Sequence, residues 1–549
     1  MPSLVLGPLL RHVDDCSATV WVETDRPCAV RILEHEAPTF TVAGHHYALV
    51  AIEGLAPDTV TPYEVHMVTD GEAVQVWPES GSTYPASRIR TLAPQRPVRL
   101  VFGSCRWARP DTAGPDRQLP PDALDTYARD VAERPDAEWP DALLLLGDQV
   151  YADETTPLTQ VYLANRRDLA EPPYTEVADF EEYTHLYLES WTDPEVRWLL
   201  STVPSAMIFD DHDVRDDWNT SAQWRREMQA TEWWQSRIEG ALMSYWIYQH
   251  LGNLAPADLA QDETWRRVRE LAARGEDAEA VLREFAAAAD AEADGEPATR
   301  WSYRRDFGRT RLLMIDSRAG RVLTGERGMV GPAEFDWMRE QSRGEVDHLL
   351  LGSSLPWLMA HSLHDVEAWN EHMCTRLGDT RRGRIAEKMR QGADMEHWSS
   401  FLASFQKLGR LIAEVAARPD APATICVLSG DVHHAYVARA TFPGREVASR
   451  VYQVTCSPVH NEVPPYMRVG FRVGWSAAAR QITSRWNRLF KVESPEVTWA
   501  KELGPFFDNQ LGTLTLHGRT AEFGLDRTEG TPEGSRLVHS AGMALHDGR

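Results

Sequence analysis

Ala142-Leu-Leu-Leu-Leu-Gly-Asp148-Gln-Val-Tyr151-Ala-Asp153 decides the reading of this chain. Its opening apolar run, without polar alternation, predicts a strand covered on both faces. The glycine lets the chain turn sharply out of that strand. Asp148 then stands at the strand's carboxyl end, where an open α/β sheet builds its site. Its two oxygens suit a bridge between two cations. Tyr151, three residues on, can bring a phenol, a hard oxygen donor suited to Fe(III), to the same point. Asp153 is placed to orient its neighbours from behind. The plain alternative is a strand followed by an Asp-capped turn.

The same grammar recurs along the chain. Val98-Arg-Leu-Val-Phe-Gly-Ser-Cys105-Arg106, Ser205-Ala-Met-Ile-Phe-Asp-Asp211-His212 and Thr424-Ile-Cys-Val-Leu-Ser-Gly-Asp431-Val-His433 each end an apolar run in metal-friendly groups. A lone cysteine is usually a buried, inert thiol. On a strand-end loop beside Arg106, a thiolate is an acceptable iron ligand. Arg106 itself can clamp a phosphate oxygen with its planar fork or pair with a surface carboxylate. Asp210 to Asp217 packs five aspartates and one histidine into eight residues. Like charges that close repel unless cations compensate them. Asp211 is read as a ligand of a second metal, and His212 as a general acid suited to near-neutral pH. Asp213, Asp216 or Asp217 can hold that imidazole or complete the metal shell. Asp431 and His433, two apart in an extended or loop segment, can point to one side, each toward one metal.

Bulk properties limit the partners. The chain has 549 residues and a net charge of −25. That balance argues against binding a nucleic-acid backbone and against docking on an anionic membrane. It does not forbid a small anionic substrate, because metal ions reverse the local field. The amino-terminal stretch shows neither a basic n-region, a long apolar stretch nor a twin-arginine signal. The expectation is a cytoplasmic protein. Its 6 cysteines form no CxxC pair and are expected to be reduced. The 20 tryptophans are read as core and helix packing.

Residues 1–95 read as a small β domain, with Gly54-Leu-Ala-Pro-Asp-Thr-Val-Thr-Pro-Tyr63 resembling a fibronectin III turn-and-tyrosine segment. Thr91 to Pro97 reads as a linker. Residues 96–549 read as one α/β domain. Residues 222–300 form a helical insertion within it, and a closing hairpin spans Leu511 to Leu525. Helices are predicted over Pro121 to Arg134 and Phe401 to Arg418.

Taken together, Ser-Cys105-Arg, Gly-Asp148-Gln-Val-Tyr151-Ala-Asp, Asp-Asp211-His212-Asp-Val-Arg-Asp-Asp-Trp and Gly-Asp431-Val-His433 resemble the alkaline phosphatase D (PhoD-like) branch of the calcineurin-like metallophosphoesterases. The resemblance covers most of residues 98 to 460. It implies a β-sandwich core flanked by helices, with an amino-terminal all-β, fibronectin III- or Ig-like domain. It implies an Fe(III) site of Cys105, Asp148, Tyr151 and His433, and a Ca(II) or other divalent site of Asp148, Asp211 and Asp431. His212 is the implied catalytic histidine. Asp211 stands where many metallophosphoesterases carry Asn.

The expected reaction is in-line attack on phosphorus by a metal-bound hydroxide, with His212 protonating the leaving oxygen. The expected substrate is a small phosphate mono- or diester. A nucleotide or phospholipid phosphodiesterase is the alternative within enzymes. A non-enzymatic metal-binding interaction protein is the alternative from another class. Gly352-Ser353-Ser354-Leu-Pro lacks the elbow of a serine hydrolase.

Overall fold

The computed structural model describes residues 1–93, 95–108, 119–294, 299–532 and 534–548; Pro94 of the expected linker lies outside these. Two sheets form the centre of the molecule. The first runs in the order Ser205–Ile208, Ala142–Leu146, Val98–Gly103, Gln510–His517, Thr520–Thr531 and Gly534–Asp547. Its first three strands are parallel, and the remainder is an antiparallel meander that includes the expected closing hairpin. The second runs in the order Tyr303–Phe307, Thr310–Ile315, His348–Ser353, Thr424–Ser429, Arg450–Thr455, Ala435–Thr441 and Thr498–Phe506. Its four central strands are parallel.

The continuous apolar runs hide a period of two. Leu312 and Met314 share one core with Leu100, Leu144 and Met207 of the first sheet. Leu313 and Ile315 instead pack outward with Phe335, Met338, Phe405 and Leu408 of two covering helices, Pro332–Gln341 and Leu402–Ala416. The sheets therefore pack face to face with helices outside, as strand alternation requires. Every residue of Ala142–Leu146 and Thr424–Ser429 is buried, as a strand covered on both faces should be. The helix expected from Pro121 runs Ala123–Glu133, its first amides capped by the Asp122 carboxylate.

The amino-terminal region is all-β. One four-stranded sheet orders Leu4–Val13, Ala18–Thr24, His45–Ile52 and Phe40–Val42; the other orders His35–Pro38, Ala29–Ile32, Val65–Thr69 and Glu72–Trp77. Val20, Val50, Ile32 and Val65 share a core between them. Leu92 N donates to Asp14 O at 3.0 Å, so the start of the expected linker is tied back to this region.

Residues 222–294 are mostly helical, in several helices rather than one long one. The segment breaks between Ala222–Gln229 and Trp234–Ser244, and the chain then widens into a π turn over Tyr245–His250. It packs against the amino-terminal sheets rather than standing free. The buried Arg11 donates to the carbonyls of Tyr248 and Gln249 at 2.9 and 2.7 Å. Trp21 meets Tyr248 at 5.2 Å, and Phe40 meets Trp265 edge-on at 5.4 Å. Many tryptophans, including Trp191, Trp198, Trp218, Trp246 and Trp301, are fully buried core residues. Among the described residues, no helix is long and apolar enough to cross a membrane.

Candidate metal centre

Four strand ends meet in a seam between the two central sheets, and three of them leave their strands through a backbone that L residues rarely adopt. Cys105 (φ 59°), Asp148 (φ 31°), Asp431 (φ 62°) and His433 (φ 46°) all have positive φ. Such conformations cost energy, and they persist only where the surroundings over-determine them. Four of the six expected ligands share this property. Ser104 is the keystone beneath them. A side chain at Gly430 would overlap the Ser104 Cβ and Oγ, and one at Gly147 (φ 121°) would meet Asp210 Cβ at 2.9 Å and Ser104 Oγ at 3.1 Å. The glycine of each Gly-Asp turn is thus demanded by close approach across the seam.

The carboxylates converge. Asp148, Asp210 and Asp211 bring ligand oxygens within 4.8 Å of one another, and so do Asp211, Glu396 and Asp431. Asp148 Oδ1 and Asp210 Oδ2 are buried with no hydrogen-bond partner. Asp211 Oδ1 lies 3.1 Å from Arg318 Nη2, but out of line for a hydrogen bond. Buried oxygens left bare are costly unless a cation takes them. Burial pushes Asp148 and Asp210 well above the ordinary carboxylate range; neighbouring aspartates add to it, against the attraction of His212 and Arg318 respectively. Burial likewise raises Asp211 to about 6 and Asp213 to about 7. The donor set fits hard cations, and protein cations alone do not neutralise it.

The other expected residues take distinct places. Cys105 is fully buried; its Sγ is 3.2 Å from Ser104 Oγ, and Ser457 Oγ donates to it at 3.2 Å. Burial, then the charge of Asp148, raises its thiol well above the usual range. Tyr151 donates to Asp148 Oδ2 at 3.4 Å and accepts from Asn461 at 3.0 Å; burial and Asp148 raise its phenol too. Without a cation both groups keep their protons. Cys105 and His433 lie outside the two carboxylate clusters, while Asp211, rather than Asp148, is common to both. Burial lowers His433 to about 4, so it presents a neutral imidazole.

His212 is held from both sides. Its Nδ1 lies 2.9 Å from Asp153 Oδ1, and its ring stacks on Tyr151 with centroids 4.7 Å apart. Burial opposes its charge, but Asp153, Asp211 and Asp148 outweigh that and raise its pKa well above the usual value. Asp213, one of the candidates for holding the imidazole, instead accepts from the backbone of Gln149, Val150 and Asp210. It braces the two loops against each other.

Arg106 is a correction. The expected phosphate clamp donates Nε to Asp122 Oδ2 at 2.8 Å and Nη1 to Ser190 O at 2.7 Å. It is buried, and it ties the Cys105 loop to the cap of the next helix. The arginine at the middle of the seam is Arg318, fully buried and paired with Asp210, Asp211, Glu396 and, at 3.6 Å, Asp431, with the buried Arg321 beside it on Glu396. Arg318 follows the strand Thr310–Ile315, so an apolar run ending in Asp-Ser-Arg318 carried the signal. Glu396 and His397 follow no such run. His397 Nε2 sits 3.1 Å from Asp431 Oδ2, and its Nδ1 lies 2.8 Å from Glu367. Burial opposes ionisation of Asp431, but His397 and Arg318 hold it below the ordinary carboxylate range.

Two central sheets thus carry metal-competent carboxylates at their facing strand ends. The sequence pattern of the PhoD-like phosphatases matches residues 122–504, well over half of the chain, which therefore belongs to that family. Residues 1–89 match a domain of unknown function, DUF7800. A solved structure titled "Structure of PhoD" aligns at a TM-score of 0.57 with 13% identity, over 98% of this chain and 90% of that one. It supports the fold. A maltogenic amylase from S. marinus aligns at a TM-score of 0.15 with 9% identity, over 98% of this chain and 81% of that one, and carries no argument. No curated protein sequence matches the chain.

Proposed function

We propose that this protein hydrolyses small phosphoric esters at a two-cation centre in the seam between its central sheets. The observation that carries this reading is the bare, buried oxygens of Asp148 and Asp210, gathered with Asp211 within 4.8 Å. On the iron side we assign Cys105, Asp148, Tyr151 and His433; on the calcium-type side, Asp148, Asp211 and Asp431. Cations held there would neutralise the phosphate and acidify the attacking water. The chain's own part is positioning and proton transfer. Asp153 fixes the His212 Nδ1 proton, which leaves Nε2 as the donor to the departing oxygen. Tyr151 fixes the ring plane. Arg318, clamped by Asp210 and Glu396, keeps Asp211 and Asp431 from repelling each other. We read residues 1–95 as a fibronectin III- or Ig-like domain and residues 96–549 as the phosphatase domain. We keep the cytoplasm as its compartment.

The test is elemental analysis of the purified protein together with aryl phosphate and bis-aryl phosphate assays, before and after chelation. Turnover that is lost with the metals and restored with them is expected. Absence of hydrolysis from metal-replete protein on both esters would reject the reading. The ratio of the two rates decides monoester against diester, and nucleotide or phospholipid diesters extend the panel. His212→Asn should cut kcat by about 10²- to 10⁴-fold with metal content near normal.

A further inference from the structure

A helical hairpin beside the centre departs from the rest of the chain in both charge and polarity. Residues 463–492 contain six arginines and lysines and no acidic residue, within a chain of net charge −25. They form two helices, Pro465–Gly474 and Ala477–Phe490. Each leaves an apolar stripe in solvent at helical spacing. On the first, Tyr466, Val469 and Val473 are 76%, 59% and 54% exposed; on the second, Ile482, Trp486 and Leu489 are 68%, 47% and 74% exposed. Among the described residues Arg480 alone of these arginines feels a nearby carboxylate, Asp365, and none of the others is tied to one. Arg468 donates to Val463 O and Arg488 to Ser484 O, while Arg472 lies over the Phe507 ring.

We propose that this hairpin is a docking surface for an anionic lipid bilayer. Exposed aliphatic and aromatic stripes with flanking arginines are the composition of a helix lying in a bilayer interface. The aliphatic part enters the acyl boundary, while the guanidinium groups stay at the headgroups. A soluble polyanion would engage the arginines but leave Val469, Ile482 and Leu489 in water. The whole-chain charge does not decide the matter, because screening confines attraction to charges within about 8–10 Å of the surface. A second basic helix, Arg381–Gln391, with Ile385 61% exposed, packs on the same long helix, His361–Leu377, as the hairpin does. The hairpin is also anchored at the centre. Phe471 stacks on His434 at 4.2 Å, and Asn461, just before it, donates to Tyr151. Docking would hold the centre at the membrane surface whatever ester it cleaves.

Vesicle flotation of the full-length protein tests this without reference to turnover. The probes are phosphatidylcholine vesicles and vesicles of phosphatidylcholine with phosphatidylserine. Binding to the anionic vesicles is expected, weakened at high salt, with at least about tenfold weaker partition to phosphatidylcholine alone. I482D/L489D and R485E/R488E, all at exposed positions, should each reduce anionic binding by at least about tenfold with melting temperature unchanged. Absence of anionic binding, or equal binding to both vesicles, overturns the proposal. Anionic binding retained by I482D/L489D also overturns it, in favour of a purely electrostatic polyanion patch. A wild-type dimer that I482D/L489D dissociates, without vesicle binding, overturns it in favour of self-association.

Discussion

The two Gly-Asp turns of the centre look alike in sequence and differ in electrostatic state. Each follows a fully buried strand, one from each central sheet, packs its glycine against Ser104 and places its aspartate at positive φ. Asp148 has a bare buried oxygen and a raised pKa. Asp431 is paired with His397, lies near Arg318, and is held low. The first turn therefore carries a buried carboxylate oxygen without a partner. The second is already compensated by the protein.

Neutralising each aspartate in turn is the strongest way to break the comparison. Asp148→Asn and Asp431→Asn should each cost at least about 10²-fold in kcat, since even outer-shell partners of a metal cost 10–100-fold. Chelator-stripped protein should separate them. Asp148→Asn removes a carboxyl that burial makes costly to ionise and should raise stability by about 1–2 kcal/mol in denaturant melts at neutral pH. Asp431→Asn leaves His397 and Arg318 short of a partner and should lower it by about 2–3 kcal/mol. Shifts of the same sign would show that the two turns are equivalent.

The glycines sharpen the point at a smaller scale. Gly430→Ala should cost about 1–3 kcal/mol through the clash with Ser104, and Ser104→Gly should recover much of it in a double-mutant cycle. Gly147→Ala should cost at least as much, because its φ of 121° strains any side chain, and Ser104→Gly should not rescue it. Rescue of both to the same extent would mean that the backbone at Gly147 relaxes freely.

The smallest effect lies outside the centre, where the same compensation operates without any metal site. His45 bridges Glu23 at 3.0 Å and Glu181 at 2.8 Å, joining the amino-terminal sheets to helix Phe180–Trp191. Burial opposes its charge, but both hydrogen bonds outweigh that and push its pKa up to about 9. A raised imidazole pKa stabilises fully below its unfolded value of about 6.5, and that stability is lost as pH rises through about 9. After discounting for partial exposure, His45→Gln should remove about 1–2 kcal/mol at pH 6 and almost nothing at pH 10. A pH-independent loss in urea melts would assign His45 to packing alone.

Much of the centre was legible because strand ends are local events. An apolar run and the polar residues that follow it are contiguous, so the strands before Cys105, Asp148, Asp211 and Asp431 and the turns that carry these residues could be read locally. Arg106 misled for the same reason. Its position beside Cys105 was visible, but the partners that take its guanidinium, Asp122 and Ser190, come from helices that only folding brings near. Glu396 and His397 had no apolar run to mark them, and their role exists only because the seam gathers more carboxylate than it can leave unpaired. The helices of residues 222–294 are local in origin, but their attachment to Arg11 and Phe40 is set by tertiary contact. The basic hairpin was hidden beneath a whole-chain charge that averaged it away.

The sequence by itself determined the strands, the polar residues at their ends and the family, because hydrophobic period and turn chemistry act over a few residues. The tertiary structure alone decided which donors share a cation-sized space, which are already neutralised by Arg318 and His397, and which charges remain on the surface. Coulomb energy and burial depend on distances through space, and those exist only once the two sheets have closed face to face.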